Sequence, residues 1–263
     1  MTSKVKVESG LQLLARLTKK PQLENFYPLL FGTGPKAGNI IEIYSENSTN
    51  CLLADLIAES LIPLELGGSG ASVVIFSTDG NLDLEYILNF CKNKLKSPSR
   101  KNCQNLQSNI ETLVHAVLRN IYIFNIYDTT QFYVTIQNLE NLLSNNSNIS
   151  LVVFDTLTAF YWCEQSFKII KMDLYIKKIL NVIWKIVKDY NVTVMYTRSE
   201  HFSSSKELIE NLEMCGEQSK EAILNYRIQI TYNENGTHHV NIRTHDKQFR
   251  KEFLLKEDEI CWL

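Results

Sequence analysis

The sequence predicts an α/β domain laid out like a phosphate-loop core, with a mainly parallel sheet flanked by helices and followed by antiparallel strands at the C-terminal end. Three observations carry this. Five short β-branched apolar runs alternate with helical patterns between residues 39 and 197, as strands buried on both faces do. From Tyr226 onward the pattern changes to strand-like runs around an Asn235-Gly236 turn, a hairpin signal. The chain of 263 residues, 44% hydrophobic and 21% charged, is also large and apolar enough for one sizeable core.

The elements follow in order. Residues 8–17 (ESGLQLLARL) place Leu11, Leu14 and Leu17, with Leu13, on one stripe of a short amphipathic helix. A Pro- and Gly-containing stretch from Pro21 to Gly38 reads as a linker over the core, so the chain divides into a helix and linker (1–37) and the core (38–263). Asn39–Tyr44 is a strand and Cys51–Ile62 a helix stopped by Pro63. Ser72–Ser77 is a strand, followed by the helix Leu82–Leu95 and a basic loop, Lys96–Gln104. Helix Leu106–Arg119, strand Ile121–Ile126, helix Thr130–Leu143, strand Ser150–Asp155, helix Lys168–Tyr190 and strand Val192–Thr197 complete the alternation. The stretch 199–218 reads as a mobile loop. Beyond it come Tyr226–Tyr232, His238–Thr244, Phe249–Leu255 and Ile260–Leu263 as strands.

Composition narrows the function. A net charge of −2 leaves nucleic-acid contact to local patches. Two basic clusters are candidates: Lys94, Lys96, Arg100 and Lys101, and Arg243 with Arg250 near the tail. No apolar run reaches the length of a membrane span and no secretory leader is recognisable, so the expected location is the cytosol or the nucleus; the family resemblance given below implies the nucleus, with the cytoplasm as well. The six cysteines form no CxxC pair, which argues against a disulfide framework or a zinc site, and no metal is expected.

In such a sheet, ligands bind beyond the C-terminal ends of the strands, where the first strand turns into the first helix. A phosphate loop there needs GxxxxGK[ST]: glycines to let amides wrap the phosphates, a Lys for their charge, a hydroxyl for Mg²⁺. Here the same place reads Ser45-Glu46-Asn47-Ser48-Thr49-Asn50-Cys51-Leu52. No Lys or Arg occurs from Ala37 to Cys91, against eight carboxylates, and no Gly lies between Gly38 and Gly67. The site is read as degenerate, made of Ser45, Ser48, Thr49, Asn50, Cys51, Asp79 and Asp155, with no catalytic residue and no nearby cation to replace the Lys. Asp155 ends the strand SLVVFD where a metal-binding carboxylate of a nucleotide site would stand, and Asp79 follows the second strand. Without a triphosphate, Asp155 is expected to cap the turn into Thr156–Leu157, so that Asn would be tolerated in its place.

The order of elements, the Thr78-Asp79-Gly80 after the second strand, Asp155–Trp162 (DTLTAFYW) and the antiparallel tail resemble the RecA-type strand-exchange recombinases. Glu8-Ser9-Gly10 with Leu13–Leu17 narrows the resemblance to their eukaryotic paralogues, specifically a branch without the usual N-terminal helical domain. The resemblance implies a non-catalytic subunit of a hetero-oligomeric paralogue complex. That complex would assist recombinase assembly on single-stranded or branched DNA during homologous repair of double-strand breaks. Its partners would be other paralogues, DNA being reached through the complex, with no membrane and no cofactor unless ATP and Mg²⁺ still bind weakly. The loop without Gly or Lys departs from the family pattern. Two alternatives stay open: an inactive RecA-fold scaffold of another assembly, such as the Elongator ring, and a weak ATPase with a non-standard loop. Candidate partner contacts are Leu11, Leu14 and Leu17, together with Phe160, Tyr161 and Trp162.

Overall fold

The computed structural model describes residues 9–96, 110–165, 170–199 and 224–263. Its strands are Ile40–Ser45 (β1), Ser72–Ser77 (β2), Ile121–Asn125 (β3), Ile149–Asp155 (β4), Thr193–Ser199 (β5), Tyr226–Tyr232 (β6), Thr237–Arg243 (β7), Gln248–Lys256 (β8) and Glu259–Trp262 (β9). They form one sheet in the order β3-β2-β4-β5-β1-β6-β7-β8-β9. The first five are parallel, as expected. The tail is not a separate layer: β6 pairs in parallel with β1, Glu42 opposite Arg227, and only β6 to β9 run antiparallel. Gly236, with φ +83°, closes the β6–β7 turn, a conformation that favours glycine.

The helices are Gly10–Leu17 (α1), Pro28–Phe31 (α2), Asn50–Leu61 (α3), Leu84–Lys96 (α4), Ile110–Leu118 (α5), Thr129–Asn145 (α6), Tyr161–Glu164 (α7) and Met172–Val187 (α8). Strand periodicity sends alternate side chains to opposite faces. Ile41, Ile43, Val73 and Ile75 therefore pack under α2, α3 and α4, while Ile40, Val74, Phe76 and Phe154 pack under α1, α6 and α8. The stretch read as a linker helps build the first core: Leu23, Phe26, Tyr27, Leu30 and Phe31 are all buried in it.

α1 begins with a reciprocal cap, Ser9 Oγ accepting from the Gln12 amide at 3.2 Å and Gln12 Oε1 from the Ser9 amide at 2.8 Å. It rests on α6 through buried Ala15 and a 3.3 Å bond from Gln12 to Glu140. Leu14 and Leu17 face outward, 63% and 68% exposed. Leu11 lies on the same helix. The aromatic run behaves differently from the expectation. Phe160 and Tyr161 are 8% and 5% exposed and belong to the second core, Phe160 against Phe132 and Tyr161 against Tyr175. These two leave the candidate interface, because the turn after β4 folds them back onto α6 and α8. Trp162, 56% exposed, stays in it.

Ten of the twelve residues of α3 are buried, so its acidic members need partners. Asp55 accepts from Tyr27 Oη at 2.5 Å and pairs with Lys94 Nζ at 2.8 Å. Lys94 also reaches Glu59 at 3.1 Å, and Trp262 Nε1 donates to Tyr27 Oη at 2.8 Å. Burial pushes the Asp55 carboxyl up, and Lys94 acts against that shift. This junction ties the segment before β1, α3, α4 and β9 together. Lys94 is therefore corrected from a candidate DNA contact to a structural ion-pair residue.

Lys96 is exposed at the end of α4, whereas Arg100, Lys101 and residues 200–218 lie outside the described residues. Arg243 and Arg250 are exposed on β7 and β8, where Arg250 Nε donates to His239 Nδ1 at 3.1 Å. Replacing Lys94 by Ala leaves Asp55 buried without its cation and is expected to lower unfolding free energy by about 2–4 kcal/mol. Lys96→Ala should stay within about 0.5 kcal/mol of the parent. Urea unfolding of the two variants checks the contrast; equal midpoints would remove the junction's structural role.

Candidate functional site

At the C-terminal edge of the parallel strands a cleft of about 330 Å³ is lined by Ser45, Asn47, Ser48, Thr49, Asn50, Asp79, Asn81, Asp155, Thr156, Thr197 and Arg198. The ends of β1, β4 and β5, the turn after β2 and the start of α3 meet there, since β1 is flanked by β5, and β5 by β4. Six of the seven residues assigned to the degenerate site thus come together. Cys51 does not. It is buried, its thiol pushed up to about 11 by burial, and it lines a neighbouring apolar hollow with Tyr86, Ile230, Tyr232, His238 and Leu255.

Asp155 is 2% exposed. Its Oδ1 accepts from Thr197 Oγ1 at 2.5 Å, and its Oδ2, itself buried, has no hydrogen-bond partner among the described residues. The expected cap is absent. The Thr156 amide donates instead to Thr78 Oγ1 at 2.7 Å, and the Leu157 amide to the Thr197 carbonyl at 3.0 Å. The turn is held by its neighbours, which leaves the carboxylate uncommitted at the cleft floor. Burial raises its pKa to about 6, the Thr197 hydroxyl opposing and the Asp79 charge adding to the rise. Asp79, exposed at the rim, accepts from the Asn81 amide at 3.1 Å and Asn81 Nδ2 at 2.7 Å.

A cation does enter the cleft, contrary to the expectation: Arg198, from the end of β5. It is already engaged. Its Nε lies 2.9 Å from Glu42 Oε1, its Nη1 3.7 Å from Asp173, and its guanidinium 4.8 Å over the Tyr44 ring. Glu42, fully buried on β1, also takes Arg227 Nε at 2.5 Å and Tyr196 Oη at 2.9 Å. Burial alone would raise the Glu42 pKa, but the two arginines hold it below the usual range. Sequence reading missed Arg198 and Thr197 because their place depends on β5 lying beside β1. The arginine directly after the strand VTVMYT was the available signal.

The donor set does not fit a magnesium triphosphate. Among the described residues no Lys lines the cleft. The Asn47 and Asn50 amides, which a phosphate would need, donate to Ser45 Oγ and Ser48 Oγ, each at 3.2 Å. Asn50 Nδ2 is tied across to the Asn81 carbonyl at 2.8 Å. Two carboxylates and one neutralised arginine then face the space where several negative charges would sit.

No protein-family model matches the chain. It is similar to the DNA repair protein XRCC2 of Mus musculus, 24% identical over 199 residues that span 73% of this chain and 68% of that protein. It is also similar to the DNA repair protein RAD51 homolog 3 of Dictyostelium discoideum, 26% identical over 146 residues, 53% of this chain and 37% of that protein. The resemblance to recombinase paralogues read in the sequence is found again here, and the sheet fits the RecA-like fold of such proteins.

The raised pKa of Asp155 has a stability consequence. A carboxyl that ionises near 6 when folded and near 3.8 when unfolded costs stability progressively as pH rises through that window, and the full cost stands above it. Asp155→Asn removes the charge and keeps an acceptor for Thr197. The variant is expected to unfold at a higher temperature than the parent at pH 7.5, by the equivalent of about 1–3 kcal/mol. The gain should vanish near pH 4. A variant less stable than the parent at pH 7.5 would contradict the unpartnered carboxylate.

Proposed function

We propose that the chain is a non-catalytic, RecA-like subunit of a recombinase-paralogue complex acting in homologous repair of DNA double-strand breaks in the nucleus, where it supports recombinase assembly on single-stranded DNA. One observation carries the non-catalytic part. The cleft stands where a nucleotide would sit, yet the Asn47 and Asn50 amides donate to Ser45 and Ser48, and the one cation lining it among the described residues is paired with Glu42. The repair role is supported by similarity to two proteins named for DNA repair, one of them a recombinase homologue. No ATP or Mg²⁺ is part of this reading. Among the described residues no helix is long and apolar enough to cross a membrane.

A subunit that gains nothing from a shared nucleotide must hold its neighbours by protein contacts. Leu14, Leu17 and Trp162 are the surviving candidates, exposed on α1 and α7, and anchors of this kind are worth about 2 kcal/mol or more when truncated. Of the candidate DNA contacts, Lys96, Arg243 and Arg250 remain exposed, and a phosphate backbone would reach them within the complex.

Two measurements test the reading. Equilibrium binding of ATP with Mg²⁺ to the purified chain should show no micromolar affinity; such an affinity would restore the weak-ATPase alternative. Leu14→Asp with Trp162→Ala should release co-purifying paralogues with the circular-dichroism spectrum unchanged. Co-purification of Elongator subunits in place of recombinase paralogues would favour the scaffold alternative.

A further inference from the structure

Lys20 carries a buried charge without a counter-charge. It lies just beyond α1 and is 8% exposed. Its Nζ donates to the Ile149 carbonyl at 3.0 Å and sits 5.7 Å over the Tyr190 ring. Both partners are neutral, and the carbonyl takes only one of three ammonium donors. Burial lowers the Lys20 pKa to about 8, and no carboxylate among the described residues opposes the fall. Lysines are rarely buried in this way without an acidic partner. The buried carboxylates Asp55 and Glu42 follow the usual rule, each meeting a cation. Lys20 departs from it.

Lys20 lines a cavity of about 230 Å³ at the edge of the sheet opposite the nucleotide-like cleft, where β4 and β5 begin. Arg16 and Lys19 line it too, and Glu24 is the only carboxylate among the described residues that do. Three positive charges thus face one negative, in a chain whose net charge is −2. The hydroxyls of Ser150 and Thr193, also in the lining, donate to the Pro21 and Lys36 carbonyls at 2.6 and 3.4 Å. What the space offers a ligand is therefore cationic. Its volume is roughly that of eight water molecules, enough for one tetrahedral oxyanion with its hydration. We propose that the cavity binds a phosphate group as its dianion, held by Lys19 and Lys20 with the charge of Arg16 beside them. The local excess of two positive charges matches a phosphate monoester at neutral pH, and a recessed position is screened less by salt than an open surface. A free phosphate monoester and the terminal phosphate of a DNA strand present the same chemistry; only the second source rests on the repair reading given above.

The pocket and the source of its phosphate are tested separately. In the first experiment the full chain is titrated with sodium phosphate at neutral pH and constant ionic strength, and in parallel with sodium acetate and NaCl, while the amide signals of Lys19, Lys20 and Thr193 are followed by NMR. A saturable response to phosphate is expected. Lys20→Met, whose apolar side chain suits a buried place, should weaken it about tenfold. Lys19→Glu, a surface change that leaves the core untouched, should weaken it at least as much, and Lys96→Ala should leave it unchanged. No saturable response to phosphate, or one that Lys20→Met and Lys19→Glu leave unchanged, overturns the proposal. Acetate or chloride saturating as tightly as phosphate overturns the phosphate assignment. In the second experiment fluorescence anisotropy compares one single-stranded sequence bearing a 5′-phosphate or a 5′-hydroxyl. Tighter binding of the phosphorylated strand, competed by inorganic phosphate and lost in Lys20→Met, assigns the pocket to a strand end. Equal binding of the two strands, with the phosphate titration still saturable, assigns it to a free phosphate monoester. The titration needs no partner subunit, so the paralogue reading can fail while the pocket stands.

Discussion

The buried carboxylate of Glu42 is the constraint on which most of this structure turns. It sits in the middle of β1, fully buried, and is met by Arg227 from β6 on one side and by Arg198 and Tyr196 from β5 on the other. A lone carboxylate in that position would be protonated or would not be buried at all. With two arginines, and Asp173 beyond them, the local charge sums to zero. Stability is not the strongest reason to keep such a cluster, since apolar residues can often do as well. Its geometric effect is clearer: it fastens both neighbours of β1, and so joins the parallel half of the sheet to the antiparallel tail.

The same cluster sets the electrostatics of the cleft. Arg198 reaches it from β5, and a free guanidinium there would make it an anion site. Glu42 neutralises that charge from behind while the Tyr44 ring supports the guanidinium plane. What faces the open space is then dominated by Asp155 and Asp79. An apolar residue at position 42 would leave both arginines without their main counter-charge, and the cleft would lose part of its negative character. The charge balance of the cleft thus has its origin three residues up β1 from the Ser45–Asn50 loop.

Much of this was legible in the chain itself. The five parallel strands announced themselves by β-branched runs, and the first helix by the leucine stripe of residues 8–17. The meeting of Asp79, Asp155 and the Ser45–Asn50 loop followed from their shared position after strands. What stayed hidden depends on lateral order. Local patterning does not say that β6 lies against β1, and that pairing gives Glu42 its second arginine. Nor does it separate an exposed aromatic from a buried one in a run of three. Phe160 and Tyr161 turn inward because the chain reverses after β4, and Trp162 is left outside on a four-residue helix. Lys94 misled for a related reason: it looked like part of a basic cluster until α3 placed Asp55 and Glu59 beside it.

The orphan oxygen of Asp155 follows from the way its turn is built. Backbone donors are the usual partners of a strand-end aspartate, and here both available ones are taken by better-placed acceptors, Thr78 Oγ1 and the Thr197 carbonyl. The threonines hold the turn without the carboxylate, and Thr197 engages only one of its oxygens, leaving the other buried without a partner among the described residues. Thr78 and Thr197 thereby separate two jobs that one aspartate would otherwise combine, shaping the turn and presenting a charge. Burying that charge costs stability as pH rises through about 6, and the fold carries the cost because the turn itself does not depend on the carboxylate.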